Sequence, residues 1–298
     1  MRKTISIVIP VFNEEENLRE FYTRLTKVMS EVSYDYDIIF VDDGSRDASS
    51  AILYDLSQND EHVQAYLLSR NFGHQMALTC GLDHAEGDAV ITMDGDLQHP
   101  PELIPELLGL WEAGYEIVQT VRKDTADASK FKKITSSTYY KLINKMSKVH
   151  ITPGGSDFRL MDRVAIEALR LYNERARFIR GLVNNLGFKL TTLEFVAPPR
   201  FAGQSKYNLH KMLHFALDGI TAFSNVPLRW AFYVGLSFGF GSMLVLGHVL
   251  FIKLFTEEAV SGWATIAASV LFLGGIQLVG IGILGEYIGR IFEEVKQR

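Results

Sequence analysis

The sequence predicts an α/β domain built on a mostly parallel sheet with helices on both faces, followed by two apolar helices long enough to cross a membrane. Three observations predict it. Short β-branched runs alternate with longer amphipathic stretches as far as about Pro198, acidic residues gather at the ends of those runs, and two long uncharged segments follow Asn225. Parallel strands need a crossover between them, usually helical, so regular alternation of the two patterns specifies this class.

The first run, ISIVIPVF from Ile5, reads as a strand. It is soon broken by charge and has no small-residue cleavage site, which excludes a secretory signal. A helix is expected from about Glu15. YDIIFVDDG gives the second strand, with a helix from about Asp47; VQAYLLSR, AVITMDGD and EIVQTVR give three more, each followed by helical sequence. Ligands of such sheets bind at the carboxyl ends of the strands, where Asp42, Asp43, Arg70, Asp94, Asp96 and Arg122 stand.

Trp230 to Ile252 is a run of 23 residues without a formal charge, and Ala259 to Gly285 one of 27. A bilayer crossing needs about 20, and core helices are rarely this long and glycine-rich, so two spans are expected. Lys206, Lys211 and Arg229 precede the first run and Arg290, Lys296 and Arg298 follow the second, whereas Lys253, Glu257 and Glu258 lie between. The positive-inside rule then puts both ends in the cytoplasm. Before the spans, Leu209, Met212, Leu213, Ala216, Leu217 and Ile220 recur at helical spacing beside polar residues, as in an interfacial helix. Lys130 to Val149 has the same character and suits either the membrane surface or the domain core. Gly235 with Gly239, and Gly285 with Gly289, permit close helix approach, which points to a homo-oligomer or to packing within one chain.

The formal net charge is -5 with both signs interspersed, which argues against nucleic acid as a partner. A single cysteine, Cys80, excludes an internal disulfide and a four-cysteine zinc site. The first strand-to-helix turn lacks G-x-G-x-x-G, so a dinucleotide-dependent dehydrogenase is not expected.

The sharpest chemical signal is MDGDLQHPPE, where Asp94 and Asp96 flank a glycine at a strand end and Pro100 and Pro101 open the next helix. Two carboxylates so placed can share Mg²⁺ or Mn²⁺ with substrate phosphates. In FVDDGSRD, Asp42 and Asp43 end a strand and suit ribose hydroxyls or a base edge, while Asp47 is read as a helix cap. In VIPVFNEEENL, Pro10, Asn13 and Glu14 lie at the first crossing; Asn13 is either an N-cap or a nucleotide contact.

These motifs, together with SRNFGHQMAL, GGSDFRLMDR and RFAGQSKYN, resemble the inverting glycosyltransferases of family 2, in that family's order and over most of residues 4 to 215. The resemblance is to the dolichol-phosphate mannose synthase-like branch, and the two spans resemble its bacterial GtrB-like subgroup, the polyisoprenyl-phosphate (bactoprenol) glucosyltransferases. It implies a GT-A, Rossmann-like catalytic domain over residues 1–200, a juxtamembrane amphipathic region over 201–226, two transmembrane helices over 227–286 and a cytoplasmic tail over 287–298. It implies nucleotide-sugar contacts from Pro10, Asn13, Glu14, Asp42, Asp43 and Gln98, metal binding by Asp94 and Asp96, and Asp157 near the reacting centre. Arg122, Arg200, Ser205 and Lys206 are implied to bind the acceptor and phosphates. The implied reaction moves one hexose, glucose favoured, from a nucleotide-diphosphate sugar, UDP-glucose favoured, to undecaprenyl phosphate at the cytoplasmic face of the inner membrane, with a tetramer favoured. Glycan extension and a non-catalytic nucleotide-binding scaffold are the alternatives; no QxxRW-type sequence follows GGSDFRLMDR to support the first.

Overall fold

The computed structural model describes residues 2–123, 154–172, 174, 179–196, 226–255 and 262–296. The described residues divide into two compact units, one reaching to residue 196 and one comprising 226–296. The first contains strands β1 (Thr4–Val11), β2 (Asp35–Asp42), β3 (Val63–Leu67), β4 (Ala89–Thr92), β5 (Ile117–Arg122), β6 (Gly155–Asp162) and β7 (Leu190–Phe195). Its helices are α1 (Leu18–Glu31), α2 (Ser49–Asn59), α3 (His74–His84), α4 (Ile104–Glu112), α5 (Arg163–Arg170) and α6 (Ile179–Asn185), with a 3₁₀ turn, Pro101–Leu103, leading into α4.

The seven strands form one sheet of order β3-β2-β1-β4-β6-β5-β7. It is mostly parallel, with helices on both faces, as the alternation predicts. The exception is β6, which runs antiparallel to both β4 and β5. Ile5 to Val11 and Ile38 to Asp42 are buried on both sides of the sheet, which is why these runs read as continuously apolar instead of alternating. On one face α1 buries Leu18, Phe21, Leu25, Val28 and Met29, residues at helical spacing that pack with Ile7, Phe40, Leu107 and Phe158. On the other face α3 lies against β1 and β2. Arg170 of α5 donates to the Leu82, Asp83 and Ala85 carbonyls that end α3, satisfying acceptors that the helix itself leaves open.

Two expectations are adjusted. Helices α1 and α2 begin at Leu18 and Ser49, later than Glu15 and Asp47, because the residues before them are tied into neighbouring loops. GSDFRLMD forms strand β6, an element the apolar alternation does not announce.

The second unit consists of α7 (Val226–Phe255) and α8 (Trp263–Lys296). Within them Val226–Val245 and Phe272–Lys296 are long and apolar enough to cross a membrane, and none of their described side chains is buried. The uncharged runs read from the sequence coincide with these helices over residues 230–252 and 263–285. The segment read as an interfacial helix, 207–225, and the segment 130–149, suited to either the membrane surface or the domain core, lie outside the described residues, as do Arg200, Ser205 and Lys206.

The tightest approach of helix to sheet is at Gly81 of α3, where an added Cβ would lie 2.3 Å from Val8 Cγ1. Alanine is favoured over glycine in a helix by about 1 kcal/mol, but overpacking a filled core costs about 1–3 kcal/mol, and Val8 is a stiff, fully buried neighbour. Gly81→Ala is therefore expected to lower the unfolding midpoint of the full chain. In a Val8→Ala background the same substitution should become neutral or stabilising, which a double-mutant cycle of denaturation midpoints will check.

Candidate active site

The parallel strands end in step, Val11 opposite Asp42 and Val8 opposite Thr92, so the loops that follow them share one edge. Pro10 is buried in β1, paired with Val41. Asn13 adopts a left-handed backbone, φ 55. Its amide donates to Ser45 Oγ at 2.9 Å and its Oδ1 accepts from the Arg46 amide at 2.8 Å, so Asn13 clasps the β2–α2 loop instead of capping α1. The Glu14 amide donates to Ser49 Oγ, and the Glu14 carboxylate accepts from Asn17 Nδ2 at 2.6 Å. Asp47 accepts from the Ser49 amide at 3.0 Å, but the N-cap position of α2 is Ala48, so Asp47 braces the helix entry from one residue ahead of the cap expected of it.

Both acids that end β2 are buried struts. Asp42 accepts from the Ser45 amide at 3.0 Å and from the Ser45 and Ser50 hydroxyls. Asp43 accepts from the Phe72 amide at 2.7 Å and the Gly73 amide at 3.0 Å, fixing the entry to α3. Between them and that loop only glycine fits: Gly44 has φ +69, and a Cβ there would lie 2.5 Å from the Arg70 carbonyl carbon.

The loop after β4 is braced from both sides. His74, the first residue of α3, meets Asp94 Oδ1 with Nε2 at 2.8 Å. The Asp94 amide donates to His99 Nδ1 at 2.8 Å; that nitrogen is therefore an acceptor, and His99 Nε2 carries the proton it donates to Ser156 Oγ at 2.6 Å. The His99 ring stacks on Phe158 at 5.4 Å. The Gln98 amide donates to Asp96 Oδ1 at 3.0 Å, and Leu97 between them is held at φ 61 with its side chain buried. Arg122, at the end of β5, reaches Gln98 Oε1 at 3.5 Å.

Because β6 is antiparallel, its first residues arrive at the same edge, and Asp157 comes close enough to Asp94 for each to feel the other's charge. Asp157 accepts from Arg159 Nη2 at 2.8 Å and, on its two oxygens, from Arg180 Nε and Nη2 at 2.9 and 2.7 Å. Burial pushes the Asp157 carboxyl up, but the Arg180 and Arg159 guanidiniums outweigh it and hold the carboxyl well below the usual range. Burial likewise lowers Arg159, to about 10. For Asp94 burial is opposed by His74, which donates to it, and the carboxyl lies below its usual value; for His74 burial is outweighed by Asp94, which raises it.

The edge thus brings together Asp94, Asp96, Gln98, Arg122 and Asp157, with Asn13, Glu14, Asp42 and Asp43 in the flanking loops. Sequence reasoning missed His74, His99, Arg159 and Arg180. His74 and His99 stood inside quoted motifs, and a histidine adjoining an acidic pair was the available signal; nothing local singled out Arg180. Among the described residues no group of three or more His, Cys, Asp or Glu is arranged to hold a metal ion, so a cation here would rest on two carboxylates.

The family model of glycosyl transferase family 2 matches residues 6–170 of this sheet and its loops. The chain belongs to that family. Relatives extend the likeness over the whole length. An uncharacterized glycosyltransferase of Bacillus subtilis, YkcC, is 44% identical over 98% of this chain and 91% of its own. The bactoprenol glucosyl transferase of Shigella phage SfII is 43% identical over 99% of this chain and 95% of its own, and the prophage bactoprenol glucosyl transferase homolog of Escherichia coli K12 is 42% identical over 99% and 96%. Among solved structures, mannosyl-3-phosphoglycerate synthase from Rubrobacter xylanophilus shares the GT-A fold, at TM-score 0.53 and 16% identity over 74% of this chain and 73% of that one.

A carboxyl whose pKa is depressed by folding adds stability that is complete above its unfolded value, about 3.9, and is lost as pH falls below that toward the folded value. Asp157→Asn leaves two guanidiniums without their counter-charge, and breaking a buried pair this way costs about 3–5 kcal/mol. The variant should be destabilised at pH 7, and its stability deficit relative to the native chain should shrink as pH falls below about 4. Denaturant titrations of both proteins from pH 7 to 3 will check this; a deficit that grows on acidification would contradict the pairing.

Proposed function

We propose that the chain is a polyprenyl-phosphate glycosyltransferase that moves one hexose, with inversion, from a nucleotide-diphosphate sugar to the phosphate of undecaprenol. The observation that carries this is the likeness to bactoprenol glucosyl transferases at 42–43% identity over 99% of the chain, spanning both the sheet unit and the two apolar helices. The names of those relatives support glucose as the sugar, and UDP as its carrier is part of the proposal, resting on the resemblance to that subgroup.

The residues fit a divalent cation of the Mg²⁺ or Mn²⁺ type. Asp94 and Asp96 offer hard oxygen donors at an accessible edge, and such ions are commonly held by one or two carboxylates with substrate phosphates completing the shell. When bound, the ion neutralises charge on the leaving diphosphate. Gln98 and Arg122 lie beside that acid pair and are suited to the diphosphate, since a guanidinium grips phosphate oxygens in pairs. Asn13, Glu14 and Asp43 hold the loops that would enclose the nucleotide, acting through shape as much as through direct contact.

The acceptor needs little activation. A phosphate monoester has its second pKa at about 6 and is largely dianionic at neutral pH. An in-line attack on the anomeric carbon needs no covalent sugar intermediate, and a base need not be supplied. The acceptor's chain stays in the bilayer with its phosphate at headgroup height, and α7 and α8 would anchor the catalytic unit there. With residues 1–200 catalytic, 201–226 juxtamembrane, 227–286 spanning and 287–298 a tail, lysines and arginines flank the spans on the side of the catalytic unit. By the positive-inside rule this supports a cytoplasmic position for both termini. Arg200, Ser205 and Lys206, just ahead of the spans, would meet the lipid phosphate. Assembly into a homo-oligomer through the spans, a tetramer by family likeness, completes the reading.

Label from UDP-[¹⁴C]glucose should pass into the organic phase with purified chain, undecaprenyl phosphate and Mg²⁺ or Mn²⁺. Chelation or Asp96→Asn should reduce the rate by about 100-fold or more. A panel of other nucleotide sugars serves as the comparison. Transfer from none of them to the lipid phosphate would overturn the proposal.

A further inference from the structure

Asp157 sits in a cluster that a general base does not require. Its carboxylate is only 5% exposed and is gripped on both oxygens, by Arg180 on each and by Arg159 on one. Arg159 is fully buried, and its Nε and Nη1 have no hydrogen-bond partner among the described residues. An apolar side chain would fill that place without leaving buried N–H groups unmade. A guanidinium there instead supplies a fixed positive potential in a region of low dielectric.

Arg180 is the outward member of the cluster, its side chain 35% exposed. Its position is tied to the Asp94 loop by a closed chain of contacts. Asp94 meets His74, Gln75 Nε2 approaches His74 Nδ1 at 3.4 Å, and Gln75 Oε1 accepts from the Ile179 amide at 3.1 Å, one residue before Arg180. Asp157 closes the ring from the sheet. Arg180 also lies beyond residue 170, where the family-model match ends.

We propose that Arg180, held in place by Asp157 and backed by the buried charge of Arg159, binds a substrate phosphate, and that Asp157 is a positioning residue for it and not the base. This rests on the function proposed above for the choice of substrates. The shared chemistry is a phosphate oxygen beside the Asp94 loop, supplied by the donor's diphosphate or by the lipid's monophosphate. The charged groups that face Asp157 are Arg159 from β6, Arg180 from α6, His74 from α3 and Asp94 after β4.

The test uses the full chain in lipid nanodiscs with Arg180→Gln and Arg180→Lys, which leave Asp157 paired with Arg159. Equilibrium binding of UDP and of pyrophosphate is measured beside KM for undecaprenyl phosphate. Affinity for UDP and pyrophosphate lower by about 10-fold assigns Arg180 to the donor diphosphate; unchanged affinity with KM for the lipid higher by about 10-fold assigns it to the acceptor. Arg180→Lys should recover part of either loss. Asp157→Asn should reproduce the affinity defect of Arg180→Gln without removing the acid limb of the kcat–pH profile, and Asp157→Glu should restore it in part. If all three phosphates bind Arg180→Gln within about twofold of the native chain, with thermal melts showing it folded, the proposal is overturned. Loss of the acid limb in Asp157→Asn with intact affinities would return Asp157 to the role of base. Pyrophosphate binding requires no turnover, so its result stands even if the native chain transfers no sugar to lipid phosphate, an outcome that would count against the proposed function alone.

Discussion

The antiparallel insertion of β6 between β4 and β5 is the constraint on which the site depends. A parallel strand there would have brought its last residues to the catalytic edge; an antiparallel one brings its first. Because side chains alternate across a strand, this single element serves both faces of the sheet. Ser156 and Phe158 turn to one side and hold His99, while Asp157 and Arg159 turn to the other, where Asp157 pairs with Arg159 and holds Arg180. Asp94, two residues beyond the end of the neighbouring strand β4, is then gripped by a histidine from each side. The acid pair of this family 2 glycosyltransferase owes its position to a strand more than 60 residues downstream.

That arrangement explains what could be read from the sequence and what could not. The strands β1, β2 and β4 were legible because burial on both faces gives an unbroken apolar run, and the acids beyond them were legible because they mark where such runs stop. β6 was not assigned. Two buried charges, Asp157 and Arg159, interrupt its apolar pattern at the positions where a half-buried strand would show its most hydrophobic residues. The partners of the site are also remote in sequence: His74 is 20 residues from Asp94, His99 is 57 from Ser156, and Arg180 is 23 from Asp157. No local period announces contacts of that kind. The acids Asp42 and Asp43 show the opposite limit, since the motif located them correctly while their carboxylates turned out to be occupied in bracing loops.

The apolar unit follows simpler rules and was correspondingly easier to read. An α-helix rises about 1.5 Å per residue, so the 30 residues of α7 and the 34 of α8 are longer than the roughly 30 Å hydrocarbon layer requires. The excess on α8 carries Glu286, Arg290, Glu293, Glu294 and Lys296, so the helix continues past its uncharged run as a polar extension.

The left-handed backbone at Leu97 carries a consequence for anyone wishing to redesign the enzyme. A leucine in that region costs about 1–2 kcal/mol in backbone energy, and it is kept there because its side chain is buried in the main core, 3% exposed. The same packing contact therefore sets the shape of the Asp94–Gln98 loop and contributes to the stability of the domain. Thermostabilising that part of the interior and reshaping the acid-pair loop are not independent engineering tasks: repacking around Leu97 retunes the loop, and relaxing the loop withdraws a piece of the core.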